Sequence, residues 1–598
     1  MGKPQVRASQ VITTFGPGSM VDLPDDSVIV AGLDTWRYDK NSPIPTVSEP
    51  RLIGKLQALL GVANLVLRKP PPAIEQKGFT PDIGGYRFPE WFIVQKQMMA
   101  KGHRARRLVH LNDLEKGKFL DDDGKRYPVV PVRFVRACRR GHVGDIDWHS
   151  FVHGHDEGCR RELFLEERGT SGDLDAVWVR CSCGVERAMS QAARMDLGAL
   201  GRCNGSRLWL GAGTRESCGE PNRLLIRSAS NAYFPQLLSV ISIPDSFEAV
   251  DLAVRSLWDV HLSAVESPDH LTFLLKNPVV KHQLSDFTAE QIMGAINRVR
   301  QGSADSRPVK EAEFAVLSST KAEVGADTPE GDFFARTLPK DRWDAPWMQA
   351  VERVVLVHRL REVVAQVGFT RFESAGPDIQ GELDMNVQPA PLALDVSWLP
   401  AVENRGEGVF IQFKGAAINE WLARPVVKSR DQSLQDGFHV WQTDHEGSSR
   451  KFPGLPYFFL HSLSHMIMTA ISLECGYPSS SLRERVYANT ISNQYGILIY
   501  TGSADAEGTL GGLVEAGRRI REHMQRALTS GRLCSNDPVC AFHVPRQHDH
   551  QPLLGSACHG CLLISETSCE QRNDFLDRAL VVPTVEMLGA EFFGATMT

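Results

Sequence analysis

Eleven of the twelve cysteines in this 598-residue chain fall into two neighbourhoods, six between Cys138 and Cys218 and five between Cys534 and Cys569. Only Cys475 stands apart. Clustered thiolates and imidazoles are the donor set of structural zinc, which takes four such ligands in a tetrahedron. The sharpest signature is the knuckle Cys558-His559-Gly560-Cys561, preceded by Cys534 and Cys540 and followed by Cys569. Cys534, Cys540, Cys558 and Cys561 make one four-thiolate site, and Cys569 is an alternative to one of the first two. A redox CxxC is the competing reading; it would follow a strand and open a helix, whereas this one sits in a loop beside other cysteines. In the first neighbourhood, Cys181-Ser182-Cys183-Gly184 offers two thiolates that Cys203 and Cys218 would complete. Cys138, His142, His153, His155 and Cys159 upstream hold the donors for a further tetrahedron, or are free cysteines among loop histidines. No HExxH and no deaminase-type HxE…PCxxC occurs, so these zincs are expected to be structural.

Other chemistry is sparse. No GxxxxGK[ST] loop, GxGxxG fingerprint or GxSxG elbow is present, so no nucleotide hydrolysis is expected of this chain. The turn Gly508 to Gly512 reads as a tight strand-to-helix connection rather than a phosphate cradle. His461 and His465, four residues apart on a predicted helix, share a face and read as hydrogen-bonded core histidines, with a shared metal as the second possibility. Glu403 and Glu407 have a glycine-bearing turn between them and are not expected to share a catalytic face. Basic residues collect at Arg104/Arg106/Arg107, Arg136/Arg139/Arg140 and Arg518/Arg519/Arg521. Arg483 and Arg485, read as part of a charged helix start, and Arg518 and Arg519 are the candidate contacts to DNA or a partner. Net charge is −6, which argues against a surface that is basic throughout.

The elements that must carry these groups suggest a mixed α/β (α+β), multidomain fold with zinc-stapled, loop-rich modules. The length exceeds what one core usually supports. Hydrophobic residues make up 42% and charged residues 23%, so core material is ample. Residues 1–130 read as an α/β domain with a strand at Ser27 to Ala31, a hairpin turn at Asp121 to Gly124 and a strand at Val129 to Val135. Residues 131–230 form the Cys/His-rich zinc-binding module. Residues 231–455 read as mainly helical with some strands, including a helix over Phe247 to Leu257, another over Val351 to Val367, and a strand at Val409 to Phe413. Residues 456–598 form a C-terminal α/β domain with the four-cysteine site, opened by a buried helix from Phe458 to Leu473 and a strand at Gly496 to Tyr500. Met1 to Phe15 carries no apolar run flanked by positive charge, and no stretch reaches the roughly 18 apolar residues of a membrane span. A cytoplasmic location with reduced thiols and no membrane partner is expected.

Several of these segments together resemble a known family. Arg7-Ala8-Ser9-Gln10, Phe15-Gly16-Pro17-Gly18-Ser19 with Asp22-Leu23, Ser27 to Val30 and Gly32-Leu33-Asp34 look like the start of DrmB proteins, components of the DISARM anti-phage defence system. Cys138 with Gly141-His142, Cys181 to Gly184 and Leu360 to Val363 are similar to that family too. The end of the chain is similar to the four-cysteine domain that ends MrfA-type DNA helicases. Its matching segments are His461/His465, Leu482 to Arg485, Gly511 to Leu513, Cys558 to Cys561 and Glu566 to Glu570. The resemblance implies a non-catalytic, zinc-binding subunit of a defence complex. It would dock on a DrmA-like superfamily-two helicase, which supplies ATP hydrolysis, and help bind or gate phage DNA. A metal-dependent nuclease using His461 and His465, and a pure scaffold without DNA contact, are the alternatives.

Overall fold

A computed structural model describes residues 6–594, except 24–25, 73–81, 101, 155–157, 170–172, 245–249, 251–252, 255, 286, 302–307, 329–330, 374–377, 382–388, 446–447, 449, 503–510 and 546–550. His155 and most of the helix read over Phe247 to Leu257 lie in or across the undescribed stretches.

Two long antiparallel strands, Val351–Thr370 and Trp398–Phe413, form the spine of a nine-stranded sheet. On one side Val351–Thr370 pairs with Phe333–Thr337 and, further along, with Phe234–Ile241. On the other side Trp398–Phe413 is followed by Gln494–Thr501 and then Leu482–Asn489. The segment Val66–Arg68 adds in parallel to Trp398–Phe413. One sheet thus takes strands from the N-terminal, middle and C-terminal regions, and its core spans Leu338 to Phe593. The boundary drawn at residue 455 falls inside this unit.

Val351 to Val367 is strand, not helix. Seven valines lie in that stretch, and β-branched side chains favour the pleated surface. The apolar stripe mimics a helix because both sheet faces are covered. Val354 and Leu356 enter one core, Val355 and Val357 a second, and Val363 and Ala365 a third. A strand buried on both faces loses its polar alternation. The middle region is accordingly less helical than its sequence suggests, although Pro268–Leu274, Pro278–Leu284 and Ala289–Gln301 do form a helical cluster with its own core.

Closer to the N-terminus an eight-stranded sheet runs from Glu186–Ala188 through Val177–Cys181, Leu163–Glu167, His103–His110 and Trp91–Ala100 to Arg126–Pro131 and two short strands. The hairpin at Asp121 to Gly124 joins Lys118–Leu120 to Arg126–Pro131. Phe134–Ala137 belongs to a separate three-stranded sheet with Val143–Gly144 and Arg223–Ile226. The strand read over Val129 to Val135 is therefore two strands in two sheets.

The helix Leu455–Cys475 is buried from Leu455 to Met468. It packs against the helix Ile520–Gly531 and beneath the two C-terminal strands of the large sheet. Pro456 suits its first turn, and Gly476 ends it in the left-handed conformation at φ 70°, with its amide closing on Ser472 O. Beyond Gly531 the chain has almost no regular structure among its described residues.

Candidate metal centres

The fold gathers the cysteines into three clusters of four donors and brings Cys569 to a fourth cluster. The C-terminal cluster consists of Cys534, Cys540, Cys558 and Cys561. Cys534 follows the helix Ile520–Gly531, and the turn Cys558 to Cys561 is closed by the Cys561 amide on Cys558 O at 3.1 Å. The sulfur separations are 3.4 Å for Cys534–Cys558 and 3.7 Å for both Cys540–Cys561 and Cys558–Cys561. A disulfide needs about 2.0 Å. A tetrahedron with Zn–S of about 2.3 Å has edges of about 3.8 Å, close to these distances. The amides of Asn536 and Gly560 donate to Cys534 Sγ and Cys558 Sγ at 3.4 and 3.3 Å, which stabilises thiolate charge. A Cβ at Gly560 would sit 2.8 Å from Ser535 Oγ and 3.4 Å from Cys534 Sγ, so the turn calls for glycine.

In the first neighbourhood the fold partners the donors differently from the grouping read in the sequence. Cys181 and Cys183 do not share a site with Cys203 and Cys218. Cys138, His142, Cys203 and Cys218 form one cluster, and His153, Cys159, Cys181 and Cys183 another. The second set lies in sequence between the two halves of the first. Cys181 ends a strand of the eight-stranded sheet and Cys183 lies in the turn after it, whereas Cys138 directly follows a strand of the three-stranded sheet. Separation along the chain carries no record of which sheet each hairpin joins.

Cys138 and His142 flank a turn in which Gly141 has φ 84°. The Cys138 amide donates to His142 O at 3.0 Å. His142 Nε2 meets Glu216 Oε1 at 3.0 Å. A carboxylate accepts, so Nε2 carries the hydrogen and the Nδ1 lone pair faces Cys138 Sγ at 3.4 Å and Cys203 Sγ at 3.5 Å. The Cys138 thiol, hydrogen-bonded to Cys203, pulls the latter down to about 4, with His142 and the Gly205 amide adding to the effect. In the neighbouring cluster His153 Nδ1 donates to His149 O at 2.8 Å, which turns Nε2 toward Cys183 Sγ at 3.3 Å. Cys159 and Cys181 stand 3.7 Å apart. The Val185 amide, with His153, lowers exposed Cys183 to about 6.

Cys569 is not a partner of the CxxC turn. It is buried with His461, His465 and Glu484, donors that the sequence reading did not combine. The missing signal was strand alternation. Leu482–Asn489 is a strand, not a helix start, so Leu482, Glu484 and Val486 face the helix Leu455–Cys475 while Arg483 and Arg485 face away. Arg483 pairs with Glu362 at 2.9 Å, and Arg485 with Glu313 at 2.6 Å. Both arginines serve internal carboxylates and are less exposed than the surface contacts read in the sequence would be, Arg485 being buried. Arg518 and Arg519 stay half-exposed, paired with Glu515, Glu522 and Glu474. Glu403 and Glu407 do not converge. Glu403 bonds Arg361, and Glu407 accepts the amides of Gly511 and Leu513 at 2.7 and 2.6 Å. The one described end of the glycine turn thus has an internal carboxylate where a phosphate loop would hold its ligand.

A mixed α/β scaffold with several clusters of thiolate and imidazole donors defines a zinc-binding class of protein. Residues 463–562 match the MrfA Zn-binding domain, and residues 7–234 match a domain of unknown function, DUF8724. Over 595 residues the chain is 30% identical to the DISARM protein DrmB of Bacillus paralicheniformis, covering 96% of this chain and 99% of the relative. The chain belongs to the DrmB family.

Proposed function

We propose that this protein is a non-catalytic, zinc-stabilised subunit of a bacterial anti-phage defence complex of the DISARM type. In this reading it docks on a DrmA-like helicase and helps that helicase hold or gate phage DNA in the cytoplasm. The observation that carries the proposal is the match to a DISARM protein over nearly the whole of both chains. The three cysteine-rich clusters support it: each would hold zinc where regular structure is thin, keeping a loop-built surface in shape. The ligands are Cys534, Cys540, Cys558 and Cys561 in one site, Cys138, His142, Cys203 and Cys218 in another, and His153, Cys159, Cys181 and Cys183 in the third.

Arg518 and Arg519 are the retained candidates for phosphate contact, reading backbone and not base sequence. The test is the DNA affinity of the helicase alone and with this chain, over a range of salt. The full-length chain should tighten binding about tenfold or more, and Arg518→Glu with Arg519→Glu should weaken it and flatten the salt dependence. Equal affinity with and without the chain contradicts the DNA role, and an unchanged affinity in the reversal variant leaves a scaffold. A nuclease role for His461 and His465 is disfavoured because both rings are completely buried. Cleavage of DNA with Mg²⁺ or Mn²⁺, lost in a folded His465→Ala variant, would overturn the non-catalytic assignment.

A further inference from the structure

The buried cluster of His461, His465, Glu484 and Cys569 lies apart from all three cysteine-rich centres and joins three segments of the chain. The two histidines sit one turn apart on the helix Leu455–Cys475, with ring centroids 4.6 Å apart. Glu484 comes from the strand above them, and Cys569 from the irregular C-terminal segment. All four residues are at most 6% exposed.

The tautomers follow from the outer hydrogen bonds. His461 Nδ1 meets Phe575 O at 3.2 Å, and His465 Nδ1 meets Leu562 O at 2.8 Å. A carbonyl oxygen only accepts, so each Nδ1 carries a hydrogen and each Nε2 points inward. His461 Nε2 is 2.8 Å from Glu484 Oε1 and 3.1 Å from Cys569 Sγ; His465 Nε2 is 3.1 Å from the same carboxylate oxygen. Glu484 also accepts from Ser464 Oγ and, at 3.3 Å, from the Glu570 amide. The Asn573 amide donates to Cys569 Sγ at 3.1 Å, as the amides of Gly205, Asn536 and Gly560 do to sulfurs in the other clusters.

We propose that His461, His465, Glu484 and Cys569 bind a further zinc ion, a closed site of two imidazoles, one carboxylate and one thiolate. Charge accounting accommodates a metal. Two neutral imidazoles, a carboxylate and a thiolate around Zn²⁺ sum to zero, so the bound ion brings no net charge into the interior. Both histidines already make the outer hydrogen bonds that orient metal-bound imidazoles. The inward contacts are a few tenths of an ångström shorter than the roughly 3.3–3.6 Å edges of a zinc tetrahedron with these donors, so binding needs only a slight spreading. A cavity of about 340 Å³ is bordered by Glu484 and Cys569 on one side of the cluster. With four protein ligands the site is structural: it pins the last strand of the large sheet and the C-terminal segment to the central helix.

Anomalous diffraction from crystals of the full-length protein, on both sides of the zinc edge, tests this on the unaltered chain and resolves each centre separately. A zinc peak between His461 Nε2, His465 Nε2, Glu484 and Cys569 is expected. Peaks at the three cysteine-rich clusters but none here would overturn this inference and leave the zinc-stapled reading standing; absence of every peak would overturn both. Elemental analysis of Glu484→Gln, which keeps the side-chain shape, should show one zinc fewer per chain than wild type, and unchanged content in folded protein would also overturn it.

Discussion

At the level of single residues, the cysteine clusters make their chemistry explicit. Exposed Cys183 is lowered to about 6 by the Val185 amide and His153, so in chelator-stripped protein it should be the first thiol that iodoacetamide modifies at neutral pH. The rate should fall as pH drops through about 6, where the thiolate takes up its proton, and zinc should protect it. Mass spectrometry of the alkylated peptides checks both expectations; preferential labelling elsewhere would contradict the assignment. Glu216, which holds the outer nitrogen of His142, is a positioning group. Glu216→Ala should weaken metal retention about tenfold or more against a competing chelator, with the other two clusters unaffected. Residue types were the most legible layer of the sequence: clustered Cys and His announced metal, and the Cys558–Cys561 turn with Cys534 and Cys540 was readable as one set. The partnership of Cys181 and Cys183 was not, because two nested sites drawn from different sheets leave no trace in spacing. Glu484 escaped notice because a lone glutamate between two arginines looks like a solvated charge run.

At the level of elements, the instructive case is the strand Leu482–Asn489. Its period-two alternation sends Glu484 to the histidines on one face, and Arg483 and Arg485 to buried carboxylates on the other. Arg485 bridges to Glu313 on the helix Val309–Leu317 and also donates to Ser239 Oγ at 2.9 Å on a further strand. Truncating it would leave the Glu313 carboxylate buried without its guanidinium, although Tyr487 still donates to it at 3.2 Å. Arg485→Ala should therefore cost about 3–5 kcal/mol, measured by urea unfolding; a loss below about 1 kcal/mol would mean that the pair is solvated. The strand Val351–Thr370 shows the limit of periodicity. A helix and a doubly buried strand both present valines in runs, and only its neighbours in the sheet decide between them. The helix Leu455–Cys475, by contrast, was plain in the sequence as a long apolar run, read there from Phe458 to Leu473.

At the level of the whole molecule, one large sheet drawing strands from three regions of the chain makes a scaffold; the C-terminal cysteine cluster lies in the irregular segment beyond it, and the other two lie at strand ends of the smaller sheets. Family membership was legible from short motifs spread from Arg7 to Glu570, whereas the division into domains was less so, since a boundary at residue 455 cuts a sheet whose strands are far apart in sequence. Among the described residues no helix is long and apolar enough to cross a membrane. If zinc staples this scaffold as proposed, a strong zinc chelator should lower the thermal midpoint and weaken the proposed docking on a helicase. Retention of both properties after complete zinc removal would contradict the proposed role of the clusters. The most direct test of the central claim is zinc content per chain by elemental analysis, on wild type and on Cys558→Ser with Cys561→Ser. The account predicts at least three zinc ions in the wild type, one for each cysteine-rich cluster, and one fewer in the double variant; folded protein with little or no zinc would contradict it.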